Sequence, residues 1–239
     1  MTVPILMYHS IDDDNYELSV NKKNFYNQMK LLSFFGYSTI SFDELSSPKN
    51  LHKKIIITFD DGYKNNLTNA LPVLKKFNFQ STCYLVASCI GSFNSWDKNK
   101  DFFQKKELMN EDDVKNWLDN GQFIGSHTLN HYNLQDLDTN LQSKEIKDSK
   151  KKIEDTFKVK VNSFSYPYGR YDKSSIEIVK NNYKFCVTTS RSRFDSNKHS
   201  SLLLPRVHIN KNTSLFKFFL KIFTIYEDLN YKNLCRGYK

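Results

Sequence analysis

The chain has 239 residues and a mass of 28.2 kDa, of which 39% are hydrophobic and 15% aromatic. That is ample material for a packed core and too much for intrinsic disorder. Seven glycines and five prolines exclude collagen-like or linker-rich architecture, and a formal net charge of +9 favours anionic partners without choosing among them. No nucleic-acid-binding motif accompanies the charge, so no nucleic-acid partner is expected.

In chain order, residues 3–8 read as a strand and the Asp12-Asp13-Asp14 run as a solvated loop. Residues 21–35 read as a helix with Phe25, Met29, Leu32 and Phe35 on one face, ended by Gly36, a residue suited to a left-handed cap. Further strands fall at 55–59, 81–86, 123–125, 163–166 and 185–188, and helices at 66–77, 111–120, 140–157 and 174–182. Short apolar runs alternating with longer amphipathic ones are the pattern of repeated βα units. Residues 1–210 form a single α/β domain on this reading. Residues 211–239 add a basic, aromatic helical extension.

In that extension, residues 214–226 carry Lys217, Lys221 and Thr224 on a narrow polar stripe, surrounded by Leu215, Phe216, Phe218, Phe219, Ile222 and Phe223. So wide an apolar face either packs on the domain or lies on an anionic membrane. No run approaches the roughly 18 apolar residues of a membrane-spanning helix, and mean hydropathy is −0.61. The start lacks a basic leader and a cleavable apolar stretch, so the expected location is the cytoplasm, including peripheral attachment at the inner membrane face, unless a leader has been removed. Cys83, Cys89, Cys186 and Cys235 form no C-x-x-C pair and read as isolated thiols.

The chemistry gathers at strand ends. The apolar run Ile55-Ile56-Ile57-Thr58-Phe59 stops at Asp60-Asp61-Gly62, two adjacent carboxylates at the exit of a buried strand. Phe123-Ile124-Gly125 leads into Ser126-His127-Thr128-Leu129-Asn130-His131, where the two imidazoles face one point if the segment makes a helical turn. Asp61 or Asp60 then supplies a third ligand of the two-histidine, one-carboxylate kind, leaving positions for water and substrate. Thr128 stands where the zinc-protease pattern H-E-x-x-H has its Glu, so a catalytic base must come from elsewhere. Met7-Tyr8-His9-Ser10 and Tyr166-Pro167-Tyr168-Gly169 follow two other strands. In a parallel α/β barrel all these ends open on one face.

Together, Thr58-Phe59-Asp60-Asp61-Gly62, the His127 to His131 segment and Tyr166-Pro167-Tyr168-Gly169 resemble the first three motifs of the polysaccharide deacetylases, carbohydrate esterase family 4. The Met-Tyr-His-Ser-Ile opening and Leu204-Pro205-Arg206 are similar to the poly-N-acetylglucosamine deacetylase branch. The resemblance implies a distorted (β/α) barrel with fewer than eight regular units, and metal-dependent removal of acetyl groups from N-acetylated sugars. It places the catalytic base at Asp60, the metal ligands at Asp61, His127 and His131, and an oxyanion-binding backbone N–H at Tyr168. Zinc suits two imidazoles and one carboxylate, and nickel or cobalt fits the same ligands. The substrate expected is an N-acetylhexosamine in a glycan or a lipid-linked sugar.

Two departures from the family pattern carry their own expectations. Ser165 occupies the position of the Arg that pairs with the catalytic Asp in many members, and no Asp-Trp motif follows the third motif. Strand alternation over Pro205-Arg206-Val207-His208-Ile209 sends Arg206 and His208 to one side, so Arg206 is expected beside Asp60 as its charge partner. His208 and His9 are the two candidates for the general acid. In the aperiodic stretch after Gly91, Trp96 or Phe93 offers a ring to stack on a pyranose or to pin the loop to the barrel. Two other functions are compatible with these residues: an O-acetyl esterase using the same groups, and a non-catalytic glycan-binding barrel.

Overall fold

Seven parallel strands close into a barrel in the computed structural model, which describes residues 2–45, 51–99 and 103–229. They are β1 (Ile5–Tyr8), β2 (Lys54–Phe59), β3 (Thr82–Leu85), β4 (Phe123–Ser126), β5 (Ser163–Ser165), β6 (Phe185–Arg191) and β7 (Leu204–His208). Each pairs with the next in chain order, and β7 returns to β1 with Val207 opposite Leu6 and His208 opposite Met7. Closure leaves no barrel edge unpaired. Seven strands are one fewer than the regular eight, as the distorted-barrel expectation required.

The outer layer contains α1 (Lys22–Phe34), α2 (Leu71–Lys76), α3 (Glu111–Asp119), α4 (Thr139–Phe157), α5 (Lys173–Lys180) and α6 (Leu215–Phe223). Their starts are written in side chains. Asn21 accepts the Lys23 N–H at 2.9 Å, Asp138 accepts the Leu141 N–H at 2.9 Å, and Asn110 with Asp113 and Asp172 with Ser175 form reciprocal capping boxes. α1 ends where Gly36 takes φ +73° and the Tyr37 N–H reaches back to the Leu32 carbonyl at 2.9 Å. Phe25, Met29 and Leu32 are fully buried, each worth roughly 1.5–3 kcal/mol by its removal from water. Phe35, expected on that face, is the cap residue and stays 36% exposed.

Strand alternation sorts side chains between two cores. Ile55, Ile57 and Phe59 face the helices with Leu6, Tyr8, Phe164, Val207 and Ile209. Ile56 joins Ile5, Tyr84, Phe185, Val187 and Leu204 in the second cluster, which plugs the barrel. Gly125 is required by this plug, since a Cβ there would lie 2.4 Å from the Tyr84 ring and 2.8 Å from Ser163 Oγ. The residues that continue the plug's face toward the strand exits, Thr58 on β2, Asp60 just past its end and Arg206 on β7, are polar and buried. The barrel thus carries an apolar floor beneath a polar chamber.

Several elements differ from the sequence reading. Pro4 splits the first strand: Thr2–Val3 pairs antiparallel with Phe194–Asp195, and only Ile5–Tyr8 enters the barrel. The helix expected over 66–77 begins as a π-helical turn, Asn66–Ala70. Asp14 of the acidic run is tied to the buried Lys106, and Asp12 lies within 4.0 Å of the same ammonium. Cys83 and Cys186 are buried thiols, whereas Cys235 and the last part of the C-terminal extension lie outside the described residues. Among the described residues, no helix is long and apolar enough to cross a membrane.

Candidate active site

The exits of β2 and β4 bring Asp61, His127 and His131 together, with one ligand atom of each lying within 4.8 Å of the others. His127 follows β4 directly, its N–H bonded to the Leu85 carbonyl at 2.9 Å. Its Nδ1–H donates to the Ser165 carbonyl at 2.7 Å, which fixes the tautomer and leaves the Nε2 lone pair facing Asp61 Oδ1 at 3.4 Å. His131 Nε2 lies 3.3 Å from the same oxygen, and its Nδ1 meets the Tyr168 hydroxyl at 3.2 Å.

The histidines converge without the helical turn that their spacing suggested. Thr128 and His131 take φ of +65° and +64°, and Asp61 and Tyr168 take +74° and +58°. Four non-glycine residues in the left-handed region within one site represent stored backbone strain of about 1–3 kcal/mol each. Glu145 of α4 holds the histidine loop in this shape. Its buried carboxylate accepts the N–H groups of Leu129 and Asn130 at 3.0 and 2.8 Å and the Asn130 side-chain amide at 2.6 Å.

Asp61 Oδ1 is buried and makes no well-directed hydrogen bond, although two imidazole nitrogens flank it. Burial opposes ionisation of Asp61, but the two histidines outweigh it and hold the carboxyl well below the ordinary aspartate value. Burial likewise disfavours a charged His127, yet the adjacent Asp61 raises its pKa, while burial prevails at His131 and lowers it. One anionic oxygen and two imidazole nitrogens therefore converge on a common point. These donors fit a divalent metal of the borderline kind.

Asp60 lies on the other side of the same turn. Arg206 grips it with Nη1 at 2.8 Å from Oδ1 and Nη2 at 2.7 Å from Oδ2. The guanidinium is itself fixed, donating Nε–H to the Thr188 carbonyl at 2.9 Å and Nη1–H to Thr58 Oγ1 at 3.1 Å. Ser165 Oγ receives Nη2–H at 3.2 Å and donates to Asp60 Oδ2 at 3.3 Å, so it fills the gap between the pair. Burial raises the cost of charge on Asp60, but Arg206 more than offsets it and the pKa falls below the usual value.

His9 Nε2 stands 4.0 Å from Asp60 Oδ2, and the His208 ring lies behind it with centroids 6.0 Å apart. Burial depresses both imidazoles, His208 to about 3, where the charges of His9 and Lys221 add to the effect. His9 Nδ1 and His208 Nε2 are buried without hydrogen-bond partners. His9 is therefore the imidazole nearer Asp60, and His208 the more remote.

Trp96 stacks on the His131 ring at 4.5 Å and 29°, while Phe93 turns to Phe103 at 6.4 Å. The turn bearing Trp96 is anchored by the buried Asp97, whose carboxylate accepts the Tyr16 hydroxyl and the Asn94 amide, each at 3.4 Å. Tyr168, 42% exposed, closes the opposite side of His131 with its ring edge-on at 4.8 Å. Glu145, Thr58 and Asp97 were missed from sequence. Glu145 had a signal: it interrupts the inward stripe of α4 formed by Gln142, Ile146, Ser149 and Ile153.

Comparison with known proteins agrees with the geometry. Residues 47–184 match the family model described as polysaccharide deacetylase. The chain is 36% identical over 193 residues to YxkH of Bacillus subtilis, whose name places it among the polysaccharide deacetylases; the match covers 78% of this chain and 64% of that protein, so the chain spans less than two thirds of this relative. It is 25% identical over 217 residues to the poly-beta-1,6-N-acetyl-D-glucosamine N-deacetylase of Staphylococcus epidermidis, covering 87% of this chain and 73% of the relative. The Streptococcus pyogenes deacetylase PplD, solved in complex with acetate, superposes with a TM-score of 0.81 at 26% identity over 93% of this chain and 98% of that one.

Proposed function

Because this chain belongs to the polysaccharide deacetylase family, we propose that it is a metal-dependent hydrolase that removes acetyl groups from N-acetylhexosamines in a glycan. The observation that carries the reading is the buried, unsatisfied Asp61 Oδ1 facing two imidazole nitrogens, next to an Asp60 kept ionised by Arg206. A divalent cation held by Asp61, His127 and His131, with zinc the best match to these donors, supplies a polarised carbonyl and a water of lowered pKa when bound.

The chain's own groups do the rest. Asp60, anionic in its pair with Arg206, takes the proton of the attacking water. The Tyr168 N–H donates to the oxygen that becomes an oxyanion as water adds to the carbonyl carbon. As the C–N bond breaks, the departing amine needs a proton, which His9 delivers. Neutral in the resting enzyme, His9 acquires that proton from Asp60 across a gap that one small movement closes. His208 backs His9. Trp96 and Tyr168 wall the site and offer rings against which a pyranose packs. Products are acetate and the free amino sugar.

The test is metal analysis combined with acetate release across N-acetylated oligosaccharides, lipid-linked N-acetyl sugars and O-acetylated sugars. About one bound cation per chain, with release from N-acetyl substrates that stops on chelation, is expected. Undiminished release from metal-free protein overturns the reading. Release from O-acetyl sugars alone reassigns the enzyme as an esterase.

A further inference from the structure

α6 has two apolar faces, and the barrel uses only one of them. Residues three or four apart share a helix face. Phe218 and Ile222 are 0% and 1% exposed and belong to the main core. Phe216, Phe219, Leu220 and Phe223 form a second stripe, on which Phe216 is 70% exposed. That stripe continues onto α1. The Phe35 ring lies 4.6 Å from Phe223 and 6.1 Å from Phe219, and Phe34 stands edge-on to Phe35 at 5.3 Å. Phe34, 82% exposed, and Phe216 are the two most exposed large apolar side chains among the described residues. The result is an aromatic ridge spanning two helices, an arrangement that marks an interaction surface.

Charge identifies the partner. α6 contains no acidic residue. The nearest carboxylates after it are already engaged, Glu227 with Arg191 at 2.7 Å and Lys221 at 2.6 Å, and Asp228 with Arg193. Lys217 neighbours Phe216, Lys30 lies one helical turn before Phe34, and the Lys53 side chain passes beside Gly36. Among the described residues, no carboxylate pairs with these three lysines, so the ridge has an uncompensated positive margin. A second copy of the chain would set like charges against each other across a two-fold interface. An anionic bilayer satisfies both features, taking the rings into the headgroup boundary and the ammonium groups against phosphates.

We propose that the Phe34–Phe35 and Phe216–Phe223 ridge docks the protein on an anionic lipid bilayer. This goes beyond the deacetylase reading and does not depend on it. Since the barrel strands are all parallel and α1 runs back against them, Phe34 lies at the end of the barrel opposite Asp60.

Flotation of the full chain with phosphatidylcholine vesicles, and with vesicles containing phosphatidylglycerol, tests the proposal. Enrichment on the anionic vesicles, weakened by salt, is expected. The Phe34→Ser, Phe216→Ser double variant should lose about tenfold or more of that binding, and Lys30→Glu, Lys217→Glu should lose it too, both keeping the wild-type melting temperature and acetate release from a soluble substrate. Equal binding to neutral and anionic vesicles, or wild-type flotation of either variant, overturns the proposal. So does a concentration-dependent dimer in sedimentation that the Phe substitutions abolish, which assigns the ridge to a second copy.

Discussion

Arg206 and Asp60, 146 residues apart in the chain, meet as a buried two-pronged pair at 2.8 and 2.7 Å. Both charges have been removed from water, so each depends on the other for compensation. Replacing Arg206 by Met leaves Asp60 an unpaired buried anion, which should cost on the order of 3–5 kcal/mol of stability, read in urea unfolding. The surviving enzyme should also show the acidic limb of its pH–rate profile moved to higher pH, because loss of a neighbouring positive charge raises the carboxyl pKa. Arg206→Lys keeps the charge but loses the fork, and its limb should move less. An acidic limb unchanged in Arg206→Met would refute the pairing as the source of Asp60's ionisation.

Asp60 and Asp61 are neighbours with different assignments, and metal content separates them. Asp60→Asn should abolish acetate release while the protein still binds its cation, since Asp60 points to Arg206. His127→Ala should lose both, because its Nε2 is one of the three proposed ligand positions. Loss of metal from Asp60→Asn, or its full retention in His127→Ala, would reverse the assignment.

The parts of this site that were legible in sequence are those a single strand dictates. A run of Ile ending in two Asp residues, and alternation that sends Arg206 inward while Val207 and Ile209 face the helices, need no knowledge of neighbouring elements. Six of the seven barrel strands were legible for the same reason, and the seventh only through the alternation over Pro205 to Ile209. What stayed hidden depends on contacts between elements. Spacing suggested a helical turn for His127 to His131, but Glu145, reaching from α4, stabilises a strained loop that local propensity does not favour. Trp96 stacks on His131 from a turn whose Asp97 is held by Tyr16, 81 residues away. The division of α6 into a docked and an open face could not be read from its pattern, since apolar residues occupy both.

His208 gives a prediction about stability. Burial first, then the charges of His9 and Lys221, push its imidazole down to about 3. The unfolded chain, with an ordinary imidazole near 6.5, therefore binds a proton that the folded chain refuses as pH falls below that value. Folding should weaken progressively with acidification, by roughly 1–2 kcal/mol from this residue between about pH 6.5 and pH 5. His208→Gln should flatten that slope in urea unfolding series at the two pH values. An identical slope in wild type and variant would mean that the imidazole titrates normally in the folded protein.

Tyr168 joins two functions in one residue, and its hydroxyl can be removed without touching its backbone. The N–H is assigned to the oxyanion, while the hydroxyl meets His131 Nδ1 at 3.2 Å and orients the ring so that Nε2 faces Asp61. In Tyr168→Phe the aromatic wall and the left-handed turn at φ +58° are kept, but His131 loses its outer partner. Partners of this kind are worth about 10- to 100-fold in metal affinity, so competition with a chromophoric chelator should show a loss in that range. Turnover at saturating metal should fall much less, because the N–H remains. Trp96, 4.5 Å from the same imidazole, provides an independent reading: quenching of its fluorescence by nickel or cobalt should need proportionately more metal in the variant, and should vanish in Trp96→Phe. Unchanged chelator competition in Tyr168→Phe would show that Trp96 and the loop alone hold His131 in place.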